Sequence, residues 1–173
     1  MSDTQERFKK TLKMIESSGG RNVIPKYSDP RYGTASGVYQ VTPATVQSLP
    51  QRLKNAGLPI DPAIQDLVNE YPEERNPKDY AGITRTINTN PELDEKIGTA
   101  QTGLELKNYD NDVLKAAFSH HTGRTAPETT EGLLNTPADS DYIRKFLDSY
   151  SQSSPDTNIL DREKFKQTRG KIK

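Results

Sequence analysis

Glu16 is the residue best placed for chemistry. It follows Ile15 at the end of a segment in which Phe8, Leu12 and Ile15 recur at helical spacing, and Gly19 and Gly20 come just after it. A carboxylate at the edge of an apolar face is partly desolvated, and a helix end that breaks on glycines can open onto a cleft. Such a group can protonate a leaving oxygen. Taken alone, a Glu at a helix end is a solvated surface residue. Ordinary glycosidases set a second carboxylate against the acid, as base or nucleophile. The second groups available are Asp29 and Asp79, and neither stands in a motif. The two histidines, His120 and His121, are adjacent, and there is no cysteine. That removes a thiol nucleophile, disulfides and Cys-based zinc or iron–sulfur sites, and leaves no pair of His ligands at helical spacing. The expectation is chemistry without metal or cofactor.

The elements that must position Glu16 read as a series of short helices. A capping residue followed by Pro occurs at Thr42-Pro43, Asp61-Pro62, Asn76-Pro77 and Asn90-Pro91. The cap side chain accepts a hydrogen bond from a free helix N–H, and Pro at the first helical position lacks the N–H that would be unpaired there. Thr136-Pro137 and Ser154-Pro155 are weaker starts, because no apolar stripe follows at once. Ser2 or Asp3 caps the first helix, with Gln5 or Glu6 completing a capping box. Apolar positions then recur at period 3.6 through Tyr80–Ile87, Leu93–Leu104, Val113–Phe118 and Tyr142–Tyr150. Val38 to Val41 alternates briefly and reads as a short extended piece. Loops are expected at about 19–41 and 122–140. The fold class is therefore all-α, or α+β at most.

Composition bounds the rest. The 173 residues make one domain, 31% hydrophobic and 28% charged, with 24 basic and 24 acidic side chains. The apolar share is below the usual 45–50% or so, yet 12 aromatics and periodic clusters argue against disorder. A formal charge of zero gives no nucleic-acid or membrane footprint at the whole-chain level. It conceals an asymmetry: residues 162–173 hold six basic residues and one acidic, a charge of +5 that the preceding chain cancels. Residues 1–150 read as the folded domain and 151–173 as a polar linker and basic tail, either a solvated end or a docking segment. No apolar run approaches the roughly 20 residues that span a bilayer. The first 20 residues lack an apolar signal-peptide core.

Several short motifs follow one another in a telling order. Met14-Ile15-Glu16-Ser17-Ser18-Gly19 is followed by Gly37-Val38-Tyr39-Gln40 and Val41-Thr42-Pro43-Ala44-Thr45, then Asn90-Pro91-Glu92-Leu93, Ile97-Gly98, Ala117-Phe118-Ser119 and Tyr142-Ile143-Arg144-Lys145-Phe146-Leu147. Over residues 8–147 this order resembles the soluble lytic transglycosylases, which share a fold with goose-type lysozyme. The resemblance implies a lysozyme-like domain with a substrate groove. It implies Glu16 as the single catalytic acid and base, with Ser17 beside it. Gln40 matches a polar group that contacts sugar or orients the Glu, and Tyr142 matches a Tyr near the acid. Three departures stand out. Tyr39 replaces a Met and can stack on a sugar face. Ser119 replaces an Asn that would contact the acetamido group, and a slip of one residue would put His120 there. Residues 46–90 exceed a compact core of this kind.

Each matched residue also has a plainer reading. Gln40 can tie the loop backbone to a helix end, Ser17 and Ser18 can be capping residues, Tyr39 and Tyr142 can be core aromatics, and the histidines can be helix-end surface residues. The family analogy implies cleavage of the MurNAc-GlcNAc bond of peptidoglycan with formation of 1,6-anhydromuramoyl ends. A hydrolytic muramidase, or a structural adaptor on the same scaffold, is the alternative. A core without a signal, starting near the N-terminus, resembles enzymes carried in phage particles that open the host wall during genome entry. The basic tail would then dock to other virion proteins. A bacterial periplasmic enzyme is the rival setting.

Overall fold

The computed structural model describes residues 2–20, 28–29, 31–72 and 77–153, without the side chains of 28, 29 and 77–79. The side chains of Asp29 and Asp79, the Asn76 cap, the Ser154-Pro155 start and the basic tail at 162–173 lie outside the described residues. What is described is mostly helical: α1 (Asp3–Ser17), α2 (Pro43–Asn55), α3 (Pro62–Glu70), α4 (Pro77–Thr89), α5 (Pro91–Asn108), α6 (Val113–Thr122), α7 (Thr130–Leu133) and α8 (Pro137–Gln152). Among the described residues, extended structure is confined to β1 (Ser28–Asp29) and β2 (Gly33–Thr34), an antiparallel pair with Ser28 opposite Thr34, and to an isolated bridge between Ser36 and Val41.

The caps act as their chemistry requires. Ser2 Oγ accepts the Gln5 N–H (3.2 Å), Asp61 Oδ1 the Ala63 N–H (2.9 Å) and Asn90 Oδ1 the Leu93 N–H (3.1 Å). Thr42 and Thr136 accept from Thr45 and Asp139. Each satisfies an N–H that the helix itself leaves unpaired. Thr136-Pro137 is thus a full helix start. A first turn held by its cap does not need an apolar side chain, so the polar run after Pro137 still belongs to α8. The expected loop at 122–140 is correspondingly shorter and contains α7.

The chain forms two compact units. The terminal unit takes residues up to Ile15 and those from Glu105 onward; the middle unit is Glu16–Leu104. In the middle unit, rows spaced by three and four bury Val46, Leu49 and Leu53 of α2, Ile64 and Leu67 of α3, Tyr80, Ile83 and Ile87 of α4, and Leu93, Ile97 and Leu104 of α5. The Tyr80 hydroxyl donates to the Arg31 carbonyl (3.2 Å) and Thr84 to that of Thr34 (3.3 Å), which fastens the small strand pair to α4. Lys96 lies between Glu92 (3.2 Å) and Asp61 (3.7 Å). The hydrogen bond to Glu92 and the charge of Asp61 hold its ammonium above the ordinary lysine range.

The terminal unit is built on aromatics. Phe8 of α1 meets Phe146 of α8 edge-on at 5.7 Å, and Phe146 stacks towards Tyr150 at 5.4 Å. Arg7 lies 3.9 Å over the Tyr150 ring and donates to the Tyr150 carbonyl (2.6 Å) and Ser153 Oγ (2.9 Å). One guanidinium therefore combines a cation–π contact with two hydrogen bonds to acceptors at the end of α8.

Candidate active site

Glu16 and Ser17 occupy the last turn of α1. Glu16 is 8% exposed and Ser17 1%, whereas Ile15 is half-buried and Met14 is 50% exposed. The row that continues into the buried end of the helix is thus Phe8, Leu12, Glu16, at steps of four. The carboxylate lies on the buried row itself, and Ile15 flanks it. The chain then breaks sharply: Ser18, Gly19 and Gly20 have φ of 53°, 75° and 88°, and Ser17 Oγ accepts the Gly20 N–H at 2.9 Å. Ser17 therefore does serve as a C-terminal capping residue, and the turn it closes fixes the end on which Glu16 stands.

Residues 37–40 form a turn, which corrects the expected extended piece. Gly37 (φ 70°) and Gln40 (φ 51°) are left-handed, incompatible with a strand, and the turn is closed by the Ser36–Val41 bridge. The ends of α4 and α5 clamp it. Asn88 Oδ1 accepts the Gly37 N–H (3.0 Å), Asp94 Oδ2 accepts the Val38 N–H (2.8 Å), and the Tyr39 hydroxyl donates to Glu95 Oε2 (2.9 Å). A Cβ on Gly37 would lie 2.2 Å from the Asp94 carboxylate, so the position requires glycine for space as well as for φ. The Tyr39 ring is 1% exposed and packs on Gly98 of α5. It is a pillar under the turn, with no ring face open to solvent for stacking. Gln40 donates its side-chain amide to the Gly37 carbonyl (2.9 Å), which ties the turn to itself.

Ser119, His120 and Tyr142 belong to the terminal unit. Ser119 is half-buried on α6, and its carbonyl accepts the Gly123 N–H (2.8 Å) that ends the helix. His120 is not a surface residue. Its side chain is 6% exposed, and Nδ1 lies 3.0 and 3.1 Å from the two oxygens of Glu105, itself 3% exposed. His121 stacks on the Tyr142 ring at 3.9 Å with planes 11° apart. Tyr142 is buried, at 9% exposure.

Sequence reasoning missed the polar side of α5. Asp94, Gln101, Thr102 and Glu105 are all buried, at 6% exposure or less. Their only sequence signal was polar residues inside a stripe that an amphipathic helix would keep apolar. Among the described residues no group of three His, Cys, Asp or Glu could hold a metal ion, and no helix is long and apolar enough to cross a membrane. Comparison with protein-family models, curated proteins and solved structures finds no match for this chain.

Proposed function

We propose that the chain is a peptidoglycan lytic transglycosylase, with Glu16 as its acid and base. One observation carries the reading most: a buried glutamate, 8% exposed, on the row of Phe8 and Leu12, at a helix end followed by a tight glycine turn. A carboxylate held on a packed row beside a chain break is fixed in place, and fixed placement against the leaving oxygen is what a general acid needs first. The ordered motifs that resemble the lytic transglycosylases support it further. So does a clamped 37–40 turn that fixes the backbone bearing Gln40.

In the proposed reaction Glu16 protonates the glycosidic oxygen between MurNAc and GlcNAc. The 2-acetamido group of the muramic acid stabilises the oxocarbenium-like state. The Glu16 carboxylate then takes the proton of the C6 hydroxyl as that oxygen attacks C1, closing the anhydro ring with no water consumed. The motif resemblance assigns substrate contacts to Ser17 and Gln40 of the middle unit and, separately, to Ser119, His120 and Tyr142 of the terminal unit. Tyr39 supports the turn that bears Gln40. Carriage in a phage particle, acting on the host wall, with the basic tail docked to other virion proteins, is the setting this reading favours.

The test is digestion of purified peptidoglycan by the wild type and by Glu16→Gln, with mass spectrometry of the released fragments. Anhydro ends from the wild type and none from the variant are expected. Reducing ends would replace the transglycosylase by a hydrolytic muramidase. No release by the wild type would favour the structural adaptor, and equal release by both would remove Glu16 as the acid.

A further inference from the structure

The terminal unit carries a cleft of about 270 Å³ at the junction of the α6 end, α7 and the first turn of α8. Phe118, Arg124, Thr125, Asn135 and Asp139 stand in its walls, and none of them has a part in the reaction proposed above. Two carry opposite charges. The Asp139 side chain is 7% exposed and that of Arg124 62% exposed, with Nη2 and Oδ2 3.4 Å apart. A firm charge-assisted bond is about 2.7–2.9 Å, so this contact is loose. The position of Asp139 in the first turn of α8 accounts for a negative charge there. It does not account for burying that charge in a cleft wall opposite a solvent-facing cation. Arg124 lies 5.3 Å from the Phe118 ring centroid, a contact that keeps the guanidinium at the cleft mouth.

We propose that this cleft binds a free α-amino-acid group. Its ammonium would meet the Asp139 carboxylate and its carboxylate the Arg124 guanidinium, with the Thr125 hydroxyl and the Asn135 amide as further partners. Such a ligand exchanges one loose internal ion pair for two close ones. A simple anion would bring its charge up against Asp139, a simple cation would bring its own against Arg124, and an uncharged group would gain neither bond. Peptidoglycan stem peptides offer free amino-acid ends of this kind. That choice of natural ligand rests on the reading above, while the binding itself does not.

The experiment is titration of the full chain with meso-diaminopimelic acid, followed by calorimetry and by amide NMR shifts. Saturable binding is expected, with the shifts centred on Thr125, Asn135 and Asp139. Arg124→Gln, a change at an exposed side chain, is expected to weaken binding at least about tenfold, as loss of a charged hydrogen bond should, with Tm lowered by no more than about 4 °C, the weight of a half-exposed ion pair. N-acetylation of both amino groups of the ligand is expected to do the same. No saturable binding at about 10 mM ligand, above the range where weak sites fill, overturns the proposal, as does equal binding by Arg124→Gln. Because the readout needs no turnover, failure to cleave glycan leaves this site standing. Cleavage without diaminopimelate binding removes this site alone.

Discussion

The Tyr39 ring lies on the bare backbone of Gly98. A Cβ built on that glycine would sit 2.2 Å from the ring's Cδ2 and Cε2 atoms. Helix α5 can therefore approach the 37–40 turn only because position 98 has no side chain. The phenol end of the same ring is held by Glu95, one helical turn earlier. Two neighbouring turns of α5 thus hold one aromatic by its face and by its hydroxyl.

Gly98→Ala should accordingly destabilise the protein although it improves helix propensity. Overpacking of this kind costs about 1–3 kcal/mol, a fall in Tm of about 3–10 °C for a chain of this size. Adding Tyr39→Leu should recover part of the loss, since the smaller side chain gives the methyl room. A double-mutant cycle by thermal denaturation reads the coupling. Strict additivity would mean that the two residues do not meet.

The Asp94 carboxylate should protect the Val38 amide. The 2.8 Å bond runs from the backbone N–H to a buried, charged acceptor, and such bonds contribute about 1.5–3 kcal/mol. Asp94→Ala is expected to speed hydrogen exchange at Val38 by about 10–100-fold, with little change at the amides of α8. Asp94→Asn, which keeps an acceptor oxygen, should fall between. Unchanged exchange in Asp94→Ala would show that the turn holds itself. If the turn positions Gln40 for the proposed reaction, kcat should fall with Asp94→Ala more than KM rises.

Glu105 and His120 form the most buried ion-pair geometry described, and their two single replacements should hurt more than the double one. Removing one member of a buried pair costs about 3–5 kcal/mol, whereas replacing both by apolar side chains of similar size is often neutral or better. Glu105→Met and His120→Leu are each expected to lower stability in urea. Together they should restore most of it. A double variant as unstable as the sum of the singles would assign the two side chains separate roles.

Local signals carried the fold well. Pro after a capping residue marks α2, α3 and α5, and less strongly α8, because a missing N–H and a free helix donor are properties of two adjacent residues. The tertiary part was less legible. The alternation over Val38–Val41 obeys strand periodicity, but Gly37 and Gln40 adopt left-handed backbone and the amides turn towards Asn88 and Asp94, about 50 residues on. Nothing local announces such partners. His120 looked like a helix-end surface residue for the same reason, since Glu105 lies on another helix. Ile15 and Glu16 exchanged places because a stripe can be continued by a step of three or of four. Only the packed helix decides which.

That choice of step bears on the last prediction. Glu16 continues the row of Phe8 and Leu12, where Leu would be the unremarkable residue. Leu keeps most of the packed volume at this position, and residues kept for function often reduce stability. Glu16→Leu is therefore expected to shift urea stability by no more than about 1–2 kcal/mol. Release of peptidoglycan fragments should fall by about 10²–10⁴-fold, the usual weight of a general acid. Glu16→Gln should lose the same activity at near wild-type stability. The two measurements together separate a catalytic carboxylate from a structural one: a large loss of stability in Glu16→Leu with residual activity in Glu16→Gln would make Glu16 a bracing residue of the α1 end, and the proposed acid would have to be sought elsewhere.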